Sequence, residues 1–127
     1  SRAANTPALL DNAQAHGARV IWDEDCSHAD VVRQQIAAFI SPLDAVYLTI
    51  DLDVLSASQM FAVSAPAALG VPLNQLMDWL LLIQRSGKII AADVVEYHPG
   101  LDQDQLCARV AARLVWQLGQ AVGVPGS

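Results

Sequence analysis

Hydrophobic and polar positions change period along this chain, and each period names an element. From Asp30 to Ile40 the apolar residues Val32, Ile36, Phe39 and Ile40 recur at helical spacing, and Ser41-Pro42 ends the run. Val46 to Ile50 is instead a continuous stretch rich in β-formers, which predicts a buried strand ending in Asp51-Leu52-Asp53. Leu73 to Arg85 predicts an apolar helix closed by Ser86-Gly87, and Lys88 to Val95 a second strand. Towards the start, Thr6-Pro7 sets an N-cap before a proline at the first helical position, and Gly17 stops that helix after about His16. Arg19-Val20-Ile21-Trp22 reads as a short strand. Asp102-Gln103-Asp104-Gln105 offers a capping box that opens a last helix reaching about Ala121.

Between the two main strands lies Ser56 to Pro72, too rich in Ala, Ser, Gly and Pro for a long helix. A connection of that length without its own elements predicts a functional loop. Strands separated by helices of about ten to fifteen residues imply βαβ units, a parallel sheet and helices on its faces, hence an α/β fold. In such sheets ligands gather beyond the carboxyl ends of the strands.

The composition limits what this architecture does. Of 127 residues, 54% are hydrophobic and 16% charged, and mean hydropathy is +0.33. That is apolar for one soluble domain, so either both sheet faces are covered or a larger interior has been cut away. The start, Ser1-Arg2-Ala3-Ala4-Asn5-Thr6, lacks an initiator Met and a signal-peptide layout, and reads as a chain entered midway. Apolar stretches are far shorter than the roughly 18 residues a bilayer span needs, so no membrane partner is expected. A net charge of −6 with only seven Lys and Arg argues against nucleic acid. Cys26 and Cys107 lack zinc-knuckle spacing and suit a reducing cytoplasm.

The candidate chemistry follows from the strand ends. A strand has a side-chain period of two, so Asp51 and Asp53 are expected on one face at its tip, where two hard oxygen ligands suit a divalent cation such as Mg, Mn or Ca. The simpler account is a turn cap or a solvated rim. Glu96 closes the apolar strand Ala91 to Val95 and needs water, a cation or a partner. His98 stands alone before Pro99 and is expected to be structural, while His16 and His28 fall at helix ends and are expected to be solvated.

Two families share parts of this pattern. Asp51-Leu52-Asp53-Val54-Leu55 resembles the nucleophile strand of haloacid-dehalogenase-like phosphatases, which use Mg. Those enzymes carry it near the N-terminus and bring a later Lys to the site, whereas here it follows fifty residues of βα structure and Lys88 begins a strand. The stronger resemblance is to the ureohydrolase family of arginase and agmatinase, within it to the formimidoylglutamase branch. It rests on Tyr47 to Leu55, on Val63-Ser64-Ala65-Pro66-Ala67-Ala68-Leu69-Gly70-Val71-Pro72, on Asp93-Val94-Val95-Glu96-Tyr97-His98-Pro99, and on the opening Ser1 to Thr6.

That resemblance implies a three-layer α/β/α parallel sheet of the arginase type, with residues 1–127 as the C-terminal portion of a single domain whose N-terminal half is absent. It implies a hydrolase of a small-molecule amidine, N-formimidoyl-L-glutamate, working in the cytoplasm with two Mn²⁺ ions and expected to form homo-oligomers when full length. Asp51 matches a bridging metal ligand, Asp53 a ligand to one metal, and Glu96 the acidic residue facing the amidine. Because the substrate carries two carboxylates, Arg2 and Asn5 are expected to hold one of them. The family's other ligands come from Gly-Gly-Asp-His and Asp-Ala-His-x-Asp type motifs, which this chain lacks. Many relatives have Asp-Pro at Ser56-Ala57 and Pro at Phe61, so the loop departs from the family pattern there. The isolated chain is expected to be inactive alone and unstable or oligomeric, since a cut parallel sheet exposes an edge and an apolar face. A non-catalytic α/β remnant or binding module is the third reading beside the hydrolase and the phosphatase.

Overall fold

The computed structural model describes residues 5–120. Their helices are α1 (Pro7–Ala15), α2 (Ala29–Ile40), α3 (Leu73–Arg85) and α4 (Leu106–Gly119), and the strands are β1 (Val46–Asp51) and β2 (Ile89–Val95). The strands pair in parallel, Thr49 opposite Asp93 and Asp51 opposite Val95, so both deliver their carboxyl ends to one edge. The βα alternation predicted from periodicity is thus observed.

One sheet face is buried. Leu48, Ile50, Ala92 and Val94 point into a core completed by Leu80 of α3, Cys107, Leu114 and Leu118 of α4, and Leu52, Leu55, Met60 and Val63 of the segment after β1. On the other face Tyr47 is 61% exposed and donates a hydrogen bond to Asp93. The described residues therefore supply one helical layer and part of the sheet. A second cluster, Cys26, Val32, Val71 and Trp79, joins α2 to α3.

The ends are capped as the local chemistry dictates. Thr6 Oγ1 accepts from the Leu9 amide at 3.4 Å, and the chain leaves α1 through His16 and Gly17. Lys88 donates Nζ to the carbonyls of Ile40 at 3.1 Å and Ser41 at 2.8 Å, satisfying the C-terminus of α2. Across α3 and α4, Gln84 and Gln117 bond each other, Gln117 Nε2 to Gln84 Oε1 at 2.8 Å.

Two predicted boundaries fail. Arg19 to Trp22 forms no strand: it passes the free edge of β1 across an apolar cleft of 430 Å³ lined by Arg19, Ile21, Phe39 and Tyr47. A local apolar pattern cannot make a strand without a ladder partner. The last helix begins at Leu106 rather than at the capping box, because Asp104 and Gln105 take left-handed backbone angles. Asp102 caps it from outside instead, Oδ1 accepting from the Cys107 amide at 3.0 Å and Oδ2 from the Ala108 amide at 2.9 Å. Among the described residues no helix is long and apolar enough to cross a membrane.

Candidate functional site

The site grows out of the end of β1. Asp51 is its last residue, and Leu52–Val54 turns into a single 3-10 turn, so Asp53 is not on the strand at all. The period-two argument for a shared face therefore fails, yet the two acids stay together by another route. Asp51 Oδ1 accepts from the Asp53 amide at 3.1 Å, a side-chain turn that fixes Asp53 beside it. The buried Leu52 inside this turn and the buried Leu55 just after it anchor it in the core.

Asp51 and Asp53 line a cavity of about 980 Å³. Its wall is the run Ala65 to Val71, and Asn5, Asp23, Glu24 and Cys26 face it from the segments before α2. Asn5 lines the same cavity as the two carboxylates, while Arg2 lies outside the described residues. Asp23 and Glu24 were not singled out by sequence reasoning. Their signal was present, since Val20-Ile21-Trp22 running into three acids repeats the arrangement of apolar residues before Asp51.

The wall is a closed loop. Ser56 donates its amide to the Val71 carbonyl at 3.3 Å, Val71 to Val54 at 2.7 Å, and Ala57 to Ala67 at 2.9 Å. Met60, Ala62 and Val63 are buried beneath it, and Gln59 Oε1 accepts from the Leu73 amide at 2.9 Å, capping α3. Ser56 and Phe61, where the family pattern is broken, are both accommodated: Ser56 Oγ lies 2.9 Å from Ser58 Oγ, and Phe61 packs on the core.

Glu96 follows β2 directly and takes φ 69°, the left-handed region that costs a non-glycine residue about 1–2 kcal/mol. Ser64 Oγ donates to Glu96 Oε2 at 3.4 Å. Tyr97 turns inward and donates its hydroxyl to Asp102 Oδ2 at 2.8 Å. The His98 backbone amide donates to the Ala62 carbonyl at 2.8 Å.

The electrostatics are one-signed. Burial pushes the Asp53 carboxyl above the usual carboxylate range, and the negative charges of Asp51 and Glu96 push it further. Burial likewise raises the Cys26 thiol, helped by Asp23, Asp25 and Glu24. Carboxylates crowded in this way fit a hard divalent cation, which would offset their repulsion. Asp51 and Asp53 are only part of such a donor set, because a Mn-like ion takes about six ligand atoms. Among the described residues no group of three or more His, Cys, Asp or Glu could hold a metal ion.

Comparison with known proteins gives the same picture. The chain is 53% identical over 118 residues to the formimidoylglutamase of Citrobacter koseri, covering 93% of this chain and 37% of that one. It is 51% identical over 120 residues to the formimidoylglutamase of Photorhabdus laumondii, covering 93% and 38%. The chain thus spans less than two fifths of the length of these curated relatives. The crystal structure of formimidoylglutamase from Bacillus subtilis superposes with a TM-score of 0.81 at 19% identity, over 90% of this chain and 37% of that one, which establishes an arginase-type α/β fold. Carboxylates converging at the end of a parallel strand, that fold, and a match to the arginase family model over residues 2–119 lead to one conclusion: the chain belongs to the arginase family.

Proposed function

We propose that residues 1–127 are the C-terminal portion of a single formimidoylglutamase domain, an enzyme that hydrolyses N-formimidoyl-L-glutamate to L-glutamate and formamide in the cytoplasm. The observation that carries this reading is identity above half to formimidoylglutamases across 93% of the chain. Family membership favours it over a phosphatase.

Asp51 and Asp53 would hold manganese at the end of β1, the remaining ligands coming from outside this chain. When bound, that metal supplies Lewis acidity and lowers the pKa of water towards neutrality. The chain's own residues provide the setting. Glu96 faces the cationic amidine and offsets its charge, which orients the carbon to be attacked. Asn5 offers an amide donor to a substrate carboxylate, with Arg2 as the charged half of that clamp. The loop from Ala65 to Val71 walls the cavity with small and apolar side chains, limiting water around the reacting group.

The test is formamide release with added Mn²⁺, comparing this chain alone with the chain joined to the upstream part of the Citrobacter koseri relative that it does not span. Activity in the joined protein alone, abolished by Asp51→Ala, is the expected outcome. Absence of activity in both forms would defeat the proposal.

A further inference from the structure

Glu96 carries a side chain with three rotatable bonds on an exposed segment, and a charge that must meet an amidine in one direction needs that freedom removed. The backbone on both sides is already fixed. Val94 packs on the core before it, and Tyr97 packs on the core after it and is tied to Asp102. What remains is the carboxylate itself.

The loop supplies the restraint. Residues 62–64 run beside residues 96–98 with two ties spaced two residues apart on each segment. The His98 amide donates to the Ala62 carbonyl at 2.8 Å, and Ser64 Oγ donates to Glu96 Oε2 at 3.4 Å. Ala62 and Val63 are 0% and 1% exposed, so Ser64 is projected from a base packed in the core. Glu96 meanwhile keeps φ 69°, an unfavourable backbone angle for a glutamate that aims it at this loop.

We propose that Ser64 is a positioning residue for the reaction: its hydroxyl holds the Glu96 carboxylate in the orientation that receives the substrate's amidine. This rests on the formimidoylglutamase reading above. The 3.4 Å separation is long for a hydroxyl donor, as is usual before a substrate charge draws such groups together. Ser64 does not touch the reacting atoms and acts through Glu96 alone.

Two measurements test it. In the 127-residue chain, carbon relaxation of the Glu96 side chain should show greater motion in Ser64→Ala than in the parent, and parent-like motion in Ser64→Thr, which keeps the hydroxyl. Protection of the His98 amide against exchange should be equal in all three, excluding a displaced loop. In the chain joined to the upstream part of the Citrobacter koseri relative, Ser64→Ala should lower kcat roughly tenfold with KM within about twofold, and Ser64→Thr should recover most of the loss. Unchanged Glu96 motion, or an unchanged kcat in an active parent, overturns the proposal. A joined parent that releases no formamide defeats the formimidoylglutamase reading, and the relaxation measurement then decides the Ser64 hold by itself.

Discussion

Replacing Gly70 with alanine tests how the loop is shut against the strand end. Gly70 has φ 63°, and a Cβ there would lie 2.4 Å from the Ser56 nitrogen, 2.6 Å from the Leu55 carbonyl carbon and 2.7 Å from the Ser56 Cα. All three are backbone atoms, so no side chain can swing aside. The left-handed angle costs alanine about 1–2 kcal/mol, and forcing a methyl into a filled site adds about 1–3 kcal/mol. The sum is about 2–5 kcal/mol, and relief by moving Ser56 would break its bond to Val71. With a urea slope of about 2 kcal/mol per M, the unfolding midpoint should fall by roughly 1–2.5 M. The buried Trp79 gives a fluorescence signal for the assay. Gly17→Ala is the control, because Gly17 also has a positive φ, 79°, with nothing within 4 Å of the added carbon. It should lose only the conformational part, roughly 0.5–1 M. If Gly70→Ala loses no more than Gly17→Ala, the close approach of loop and strand end is wrong.

Other consequences can be measured in the same chain. Asp53→Asn should raise the urea midpoint without metal, since burial and then the charges of Asp51 and Glu96 disfavour its ionised form in the folded state; a lowered midpoint would contradict the crowding. Asp102 keeps its carboxyl below the usual range: burial opposes this but is outweighed by hydrogen bonds from the Cys107 and Ala108 amides and the Tyr97 hydroxyl. A lowered folded pKa stabilises above the unfolded value and is lost as pH falls through the folded one, so Asp102→Ala should be less stable than the parent at neutral pH and the gap should close on acidification. A gap independent of pH would refute the charged cap. Leu114→Ala, at a fully buried position, should cost about 2–5 kcal/mol in urea unfolding, and a loss under about 1 kcal/mol would show that α4 is not seated on the core.

Elements bounded by local chemistry were legible in the sequence. The helix Leu73–Arg85 is observed at its predicted limits because Pro72 before it and Ser86-Gly87 after it act on the chain they adjoin. Arg19 to Trp22 carries a strand-like pattern yet forms no strand, because ladder pairing depends on a neighbour that periodicity does not contain. Asp102 was recognised as a cap but with the wrong reach, since the left-handed turn at Asp104 and Gln105 carries it past the expected position. The meeting of Asp51 and Asp53 was anticipated through strand geometry and is produced by a turn. Ser64 and Glu96 are 32 residues apart, and only the fold brings them together.

The backbone ties from Ser56 to Val71 and from Ala57 to Ala67 close the cavity loop at its base. Within that loop Met60, Ala62 and Val63 are sunk in the core, whereas Ala65, Pro66 and Ala68 stand exposed on the cavity wall. Changes at these three positions are expected to alter what borders Asp51 and Asp53 while leaving the core beneath intact, which makes this short segment the natural place to vary the cavity wall.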